Sequence, residues 1–195
     1  MHVARETATP PDDFAYNAVL YSMILDRRYN EVIAKIRHDL EQAGDPVPPI
    51  LLTTAKMNIG MVHRAAGRES EGRAALIQVE AELTALRGQG NASPILYGTL
   101  LHVHGYLGRR EEVDREAPEH IARQAKDRRL GPVAEEDAAR AFALVGENER
   151  ALSLLKRLAL TSYADSFTPA TLRLDPVWDK IRQEPRFQKL AEAKP

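Results

Sequence analysis

The chain has 195 residues, of which 44% are hydrophobic and 28% are charged, which is typical of one globular domain or one array of repeats. Its formal net charge of −1 excludes a strong overall attraction to nucleic acid or to an anionic membrane surface. Because the sequence contains no cysteine, disulfides, thiolate nucleophiles and cysteine-bound zinc are excluded together.

Residues 1–11 are polar, end in two prolines and predict a flexible tail. They lack the apolar core of a secretory signal peptide. Nowhere does the sequence contain about 18 consecutive apolar residues, so we expect neither a membrane span nor a membrane partner. A cytoplasmic protein is the simplest interpretation of these features.

Residues 12–44 predict the first pair of helices. Asp12 and Asp13 stand where the positive end of a helix dipole favours acids, and apolar residues follow at a helical period. After a turn at Arg27, the second helix of the pair is expected over Tyr29–Gln42.

The first helix of this pair is apolar around most of its girth, which is typical of a buried helix. Its apolar residues are Phe14, Val19, Leu20, Tyr21, Met23, Ile24 and Leu25. The terminal helix of an array has no preceding repeat to cover it. We therefore expect this helix to contact either an upstream domain or a second copy of the chain.

Three further helix pairs are expected over residues 49–88, 94–128 and 132–163. Their turns are expected at Gly67, Gly108 and Gly146. Pro118 should kink or shorten the helix that contains it, because it removes a backbone donor and crowds the preceding turn. Glu135, Glu136 and Asp137 occupy the first turns of the last pair, where we interpret them as acids favoured by the helix dipole rather than as a carboxylate site.

The four turns recur about every 40 residues, and no strand pattern separates them. Helix pairs that recur at such a period predict an all-α solenoid, because each pair needs its neighbour to bury its apolar face. Residues 164–195 are expected to form a linker and C-terminal capping helices.

The second helix pair carries the clearest copy of the repeated pattern. Ile59-Gly60 lies near the middle of its first helix, and residues 67–72 open the second as Gly-Arg-Glu-Ser-Glu-Gly. This pattern resembles the tetratricopeptide repeat, with weaker copies at Arg28, Gly108 and Gly146. The resemblance implies a right-handed solenoid of closely packed helix pairs with a concave groove that binds proteins or peptides. Looser packing is expected where a leucine replaces the family's small residue, at Leu20 and Leu101.

The segment 172–190 resembles the one that closes tetratricopeptide-repeat regions in bacterial Ser/Thr kinases, adenylate cyclases and winged-helix regulators. Asp175 and Pro176 predict the cap and first residue of a helix, and Pro185 predicts the start of a second, short one. We expect Trp178 to cover the apolar side of the last helix pair.

The sequence contains no enzyme signature: there is no nucleophile elbow, no P-loop and no zinc-protease motif. We therefore predict a non-catalytic protein without cofactor or metal. His63 and His104 hold equivalent places before two turns and predict packing positions rather than metal ligands. His102 points in a different direction from His104 and is expected to face the groove.

Transferring the family's groove positions to this chain gives a surface of amide, aromatic, sulfur and charged groups. Those residues are Asn17, Tyr21, Thr54, Asn58, Met61, Arg64, Thr99, His102, Tyr106, Glu136 and Arg140. Such a surface suits a peptide or protein partner, so the resemblance predicts an interaction scaffold. Two alternatives remain open: a regulatory or sensor region of a bacterial signalling protein, and a small-ligand binder or enzyme that uses the groove.

Overall fold

The computed structural model describes residues 14–43, 47, 49–91, 93–161, 163 and 167–192. Every regular element within them is helical, which confirms the all-α prediction for this part of the chain. No helix in these ranges combines the length and the apolar character that crossing a bilayer requires. The predicted tail over 1–11, the helix start at Asp12 and Asp13, and the side chain of Phe14 lie outside the described residues.

The chain forms two compact units, residues 1–75 and 76–195, which divide within the fourth helix. Unit 1 contains α1 Phe14–Leu25, α2 Tyr29–Gln42, α3 Pro49–Ala65 and the start of α4 Glu69–Gly88. Unit 2 continues from α4 with α5 Pro94–Leu107, α6 Arg110–Gln124, α7 Leu130–Val145, α8 Asn148–Leu158, α9 Pro169–Leu174 and α10 Pro185–Glu192. A 3-10 turn, Pro176–Trp178, lies between the last two helices.

The four turns predicted within the helix pairs share one backbone geometry, which recurs at Gly90 with φ of 86°. Their central residues have φ in the left-handed region: 60° at Arg27, 74° at Gly67, 72° at Gly108 and 84° at Gly146. The N–H of the next residue donates to a carbonyl of the preceding helix, as from Arg109 to His104 at 2.9 Å. This bond satisfies a carbonyl that the end of a helix leaves free. The turns predicted from the sequence at these four positions are therefore confirmed as helix ends.

Unit 1 buries one stripe from each of its first three helices. Its core residues are Tyr16, Leu20, Met23, Val32, Ile33, Ile36, Ala55 and Val62. The start of α4 lies close to α3, because a Cβ at Gly72 would be 2.9 Å from the carbonyl oxygen of Gly60. The two glycines of the repeat pattern thus allow the close approach that the sequence predicts.

The first helix buries only part of its surface within unit 1. Leu20 and Met23 are buried, whereas Val19 is 48% exposed. Ile24 and Leu25 are half-buried. Apolar surface therefore remains on this helix, and its contact with an upstream domain or a second copy stays a prediction.

Unit 2 is built around α7, which contacts α5, α6, α8 and the 3-10 turn. Its buried face is rich in alanine: Ala134, Ala138, Ala139, Ala141 and Ala143. A Cβ at Gly105 of α5 would be 3.2 Å from the Cα of Ala141, so these two helices are in close contact. Leu101, where we expected looser packing, is fully buried in the same core. The close approach of α5 is made at Gly105, one turn further along the helix.

The start of α7 differs from the prediction. The helix begins at Leu130 rather than at Pro132, because the Asp127 side chain accepts hydrogen bonds from the N–H groups of Arg129 and Leu130, both at 2.8 Å. Pro132 lies in the first turn, where its missing N–H costs no intrahelical hydrogen bond.

Pro118 lies in the interior of α6. The helix continues past it and ends at Gln124, slightly before the predicted Lys126. Because Pro118 is exposed, its ring takes no part in the core of unit 2. The helix continues for more than one turn beyond the proline.

The C-terminal segment completes the core of unit 2. Trp178 and Phe187 are fully buried, with ring centres 5.9 Å apart, in one cluster with Leu155 of α8. The predicted cap at Asp175 is confirmed, since its side chain accepts a hydrogen bond from the Val177 N–H at 3.0 Å. The expected covering role of Trp178 thus agrees with its position in this cluster.

One helix in this segment was not predicted, and one predicted helix is shorter than expected. The unpredicted helix is α9, which begins with a reciprocal capping box between Thr168 and Thr171. The helix expected after Asp175 is only the 3-10 turn. A threonine followed by Pro169 is itself a helix-start signal, so α9 could have been found from the sequence.

Arg27 is the only non-glycine residue with positive φ in the described part of the chain. We expect Arg27→Gly to be about 1 kcal/mol more stable than Arg27→Ala, because glycine enters the left-handed region without a Cβ penalty. Both substitutions remove the hydrogen bond from Arg27 to the Tyr29 hydroxyl, so their difference isolates the backbone. Urea unfolding followed by circular dichroism measures this difference, and equal stabilities would contradict strain at Arg27.

Candidate functional site

The groove residues predicted in unit 1 lie on α1 and α3 and differ in accessibility. Asn17 is exposed, and Arg64 forms an ion pair with Glu69 at the start of α4. The others are half-buried: Tyr21, Thr54, Asn58 and Met61. The spacing of the four α3 residues, Thr54, Asn58, Met61 and Arg64, places them on one face of that helix. Their role in binding stays a prediction.

In unit 2, the predicted groove residues Thr99 and His102 lie together at a pocket of about 220 Å³ between α5, α6 and α7. One helical stripe of α5 lines it with Ile95, Gly98, Thr99 and His102. A matching stripe of α7 lines it with Leu130, Val133, Ala134 and Asp137. The pocket therefore has apolar residues and polar groups on both of these helices.

Gly98 determines how closely Asp137 approaches α5. A Cβ at Gly98 would be 2.9 Å from the Asp137 Oδ2 atom, and 3.4 Å from the Nε2 atom of His120. The space that a side chain would fill is therefore taken up by this carboxylate and imidazole. A larger residue at this position would displace both groups.

Asp137 lies between two imidazoles from different helices. Its Oδ2 is 3.1 Å from His120 Nε2, and its Oδ1 is 3.3 Å from His102 Nε2. Burial acts to raise the pKa of Asp137, but the charges of His102 and His120 and the hydrogen bond with His120 outweigh it and hold the pKa well below its usual range. One carboxylate thus links α5, α6 and α7. Because α7 begins at Leu130, its first turn contains no acidic residue, so the interpretation of Asp137 as an acid favoured by the helix dipole is wrong.

His120 also leaves one polar atom unused at the pocket wall. Its side chain is 4% exposed, and its Nδ1 atom has no hydrogen-bond partner among the described residues. A buried polar atom without a partner costs free energy.

We expect Asp137→Asn to lower the free energy of unfolding by about 1–3 kcal/mol at neutral pH, because it removes a half-buried charge that two histidines contact. The folded-state pKa is lowered, so this stabilisation is present above the ordinary aspartate pKa of about 3.9 and is lost as the pH falls towards the folded-state value. Urea unfolding at several pH values should show the wild-type and variant stabilities converging on acidification.

The matched control for this experiment is Asp114→Asn in the same unit. The Asp114 side chain is 40% exposed and pairs with Arg110 and Arg150 at the surface. Exposed ion pairs contribute about 0–1 kcal/mol, so this variant should lose less stability. If the free energies of unfolding of wild type and Asp137→Asn differ by the same amount at all pH values, the stabilisation does not come from the ionised Asp137 carboxylate.

Glu136 and Arg140, also predicted for the groove, bind each other and the C-terminal segment. Arg140 donates to Glu136 Oε1 at 2.8 and 3.0 Å and to Asp175 Oδ2 at 2.7 Å. The hydroxyl of Tyr163 donates to Glu136 Oε2 at 2.6 Å. The Arg140 guanidinium carbon also lies 5.3 Å from the ring centre of Trp178. These contacts account for the burial of Glu136, and a role of either residue in partner binding stays a prediction.

The same network raises the pKa of the Tyr163 hydroxyl. Burial is the largest cause, and the hydrogen bond and negative charge of Glu136 add to it. Tyr163 therefore stays a neutral donor to Glu136. The glutamate thus has two specific partners, so the interpretation of Glu136 as an acid favoured only by the helix dipole is also wrong.

We expect Arg140→Ala to destabilise unit 2 by about 2–4 kcal/mol, because it leaves the buried Glu136 and Asp175 carboxylates without their cation. The sequence contains a single tryptophan, Trp178, so its fluorescence reports on this region during urea unfolding. Arg157→Ala is the control, since Arg157 pairs with Glu135 at the surface and its loss should cost about 1 kcal/mol or less. Equal losses in the two variants would contradict a structural role for Arg140.

A second buried polar cluster joins α4, α5 and α6 within unit 2. His104 Nδ1 is 2.7 Å from Glu116 Oε2, and His104 Nε2 is 3.4 Å from Glu80 Oε1. Arg87 donates to Glu116 Oε1 at 2.9 Å. Burial acts to raise the pKa of Glu116, but the hydrogen bonds and charges of His104 and Arg87 outweigh it and lower the pKa to about 2. The prediction that His104 is buried is confirmed.

The sequence analysis missed Glu116 and His120, although a signal for both was present. They alternate with Val113 and Ala117 on the buried stripe of α6. An acid and a histidine in such a stripe indicate partners on a neighbouring helix, because an unpaired polar group is costly there. Tyr106, the remaining predicted groove residue, is half-buried against the core of unit 2.

The chain matches no protein-family model, and no curated protein and no solved structure matches it significantly. Within the described ranges, no three or more His, Cys, Asp or Glu side chains are grouped so that they could hold a metal ion. The pocket between α5 and α7 combines an apolar lining with a few fixed polar groups.

Proposed function

We propose that the protein is a non-catalytic interaction scaffold that binds a peptide or a segment of a partner protein. The observation that carries this proposal is the pocket between α5 and α7, where the apolar residue Ile95 is 72% exposed beside Thr99 and His102. Exposed apolar residues around a concave site with a few polar groups are typical of recognition surfaces. The pocket suits one apolar side chain of a bound peptide.

The helices that line the pocket offer the peptide different kinds of contact. Ile95 from α5 and Leu130 and Val133 from α7 offer apolar contact to the inserted side chain. Thr99 and Gln124 offer hydrogen bonds to the peptide backbone around it. Asp137 is already occupied by its two histidines, so binding depends on shape and hydrogen bonding rather than on a free carboxylate.

The size of the pocket separates this proposal from the alternative of a small-ligand binder or enzyme. Sites for small molecules typically enclose about 300–1,000 Å³ and cover most of the ligand. The pocket between α5 and α7 has about 220 Å³, which is closer to one side chain. The geometry therefore favours a peptide anchor over an enclosed ligand.

In the proposed architecture, the helix pairs form a tetratricopeptide-like, right-handed solenoid in the bacterial cytoplasm. Three observations support it: the repeated helix pairs, the four left-handed turns, and the contact between Gly60 and Gly72. The other predicted groove residues then extend the contact with the partner beyond the pocket. A regulatory region of a signalling protein would use the same contacts.

The proposal is tested by selecting peptides from a displayed random library on the full chain and measuring their affinity by calorimetry. Thr99→Trp fills the pocket and should weaken the selected peptides at least about tenfold, a loss of about 1.4 kcal/mol. Thr84→Trp is the matched control, because Thr84 is exposed on α4 and does not line the pocket. Circular dichroism establishes that both variants are folded.

Two results would overturn the proposed function. One is that no peptide is enriched on the wild-type chain under conditions that enrich binders on a known peptide-binding control protein. The other is that the selected peptides bind Thr99→Trp as tightly as Thr84→Trp. Enrichment of sequences with a common apolar residue, lost only with Thr99→Trp, supports it.

A further inference from the structure

A second groove lies between α8 and α10, and none of the predicted groove residues lines it. Its volume is about 510 Å³. α8 contributes Leu152 and Lys156 from one helical stripe, and α10 contributes Arg186, Lys189 and Leu190 from another. The groove therefore combines an apolar lining with a surplus of positive charge.

The positive charges in this groove are only partly compensated within the protein. Glu149 is the single acid in its lining, and it pairs with Arg186. Lys156 and Lys189 are exposed, and neither has an ion-pair or hydrogen-bond partner in the described part of the chain. Two free ammonium groups, one from each helix, thus accompany the apolar residues. In a chain of net charge −1, this is a local feature and not a consequence of overall charge.

We propose that this groove binds an acidic segment of a partner protein that carries an exposed apolar side chain. Carboxylates of the segment pair with Lys156 and Lys189, and its apolar side chain packs on Leu152 and Leu190. Paired charges raise the rate and specificity of such an encounter, and the apolar contact prolongs it. This surface is separate from the pocket between α5 and α7, so it gives the proposed scaffold a second contact.

The shape of the groove favours a peptide over a membrane surface. Leu152 is only 4% exposed, and Leu190 is half-buried. Membrane-surface helices instead present protruding apolar residues that enter the lipid. A recessed apolar lining receives a side chain from outside, which is the geometry of helix and peptide recognition.

The test uses the full chain and a fluorescent amphipathic peptide of glutamate and leucine, with binding followed by anisotropy at an ionic strength of about 0.15 M, where the Debye length is about 8 Å. The double variant Lys156→Glu/Lys189→Glu should weaken binding at least about tenfold, because two attractions become repulsions. The control Lys126→Glu/Arg128→Glu changes the net charge equally at exposed positions outside the groove. It should change the affinity by less than about twofold, since distant exposed charges are screened by salt.

A second variant tests the groove without changing its charge. Ser153 lines the groove and is exposed, so Ser153→Trp should block the apolar lining and also reduce binding at least about tenfold. A peptide with lysine in place of glutamate should bind at least about tenfold more weakly than the acidic one. Thr99→Trp should leave this binding unchanged, which separates the result from the test of the α5–α7 pocket.

Several outcomes would overturn this inference. Equal weakening by Lys156→Glu/Lys189→Glu and by the control Lys126→Glu/Arg128→Glu would show that the peptide responds to net charge and not to this groove. Equal affinity for the acidic and the lysine-substituted peptide would show that pairing of carboxylates with Lys156 and Lys189 does not drive binding. Binding to phosphatidylserine vesicles or to RNA that depends on Lys156 and Lys189, without binding of the acidic peptide, would assign the groove to another kind of partner.

Discussion

The packing of unit 2 depends on how closely the neighbouring helices approach α7. The buried face of α7 consists mainly of alanines, whose small side chains let the backbones of α5, α6 and α8 come together. At the closest point, Gly105 of α5 lies against Ala141. A larger residue at either position would force the helices apart. The polar contacts of Asp137 and Arg140 start from this helix, so they depend on the same spacing.

Close packing also explains why unit 2 buries several carboxylates. Glu116, Glu136 and Asp137 lie on helix faces that point inwards, where an unpaired charge is costly. Each is bound by a histidine or an arginine, and for Glu116 and Asp137 those partners come from neighbouring helices. A shift of one helix along another would leave such a carboxylate alone. The pairs therefore select one register of the helices, even where their net contribution to stability is small.

Structural features that depend on only a few neighbouring residues could be predicted from the sequence. The turn at Gly146 and the cap at Asp175 could be predicted because a left-handed residue or a capping side chain acts within a few positions. The partner of Arg140 could not be predicted, since Asp175 is 35 positions away and only packing brings it near. The resemblance to the tetratricopeptide repeat implied that Arg140 lies on the groove side of α7, and it gave no information about the segment that binds Arg140 in the structure.

The core of unit 2 joins residues as distant in the chain as Leu101 and Ala191. During synthesis, α7 and α8 are made before Trp178 and Phe187. Until then the apolar side of α8, including Leu155, has no cover, and a nascent chain with such a surface is prone to misassembly. Contacts between distant residues also slow folding. The segment that carries Trp178 and Phe187 therefore decides when this unit becomes native, however early its individual helices form.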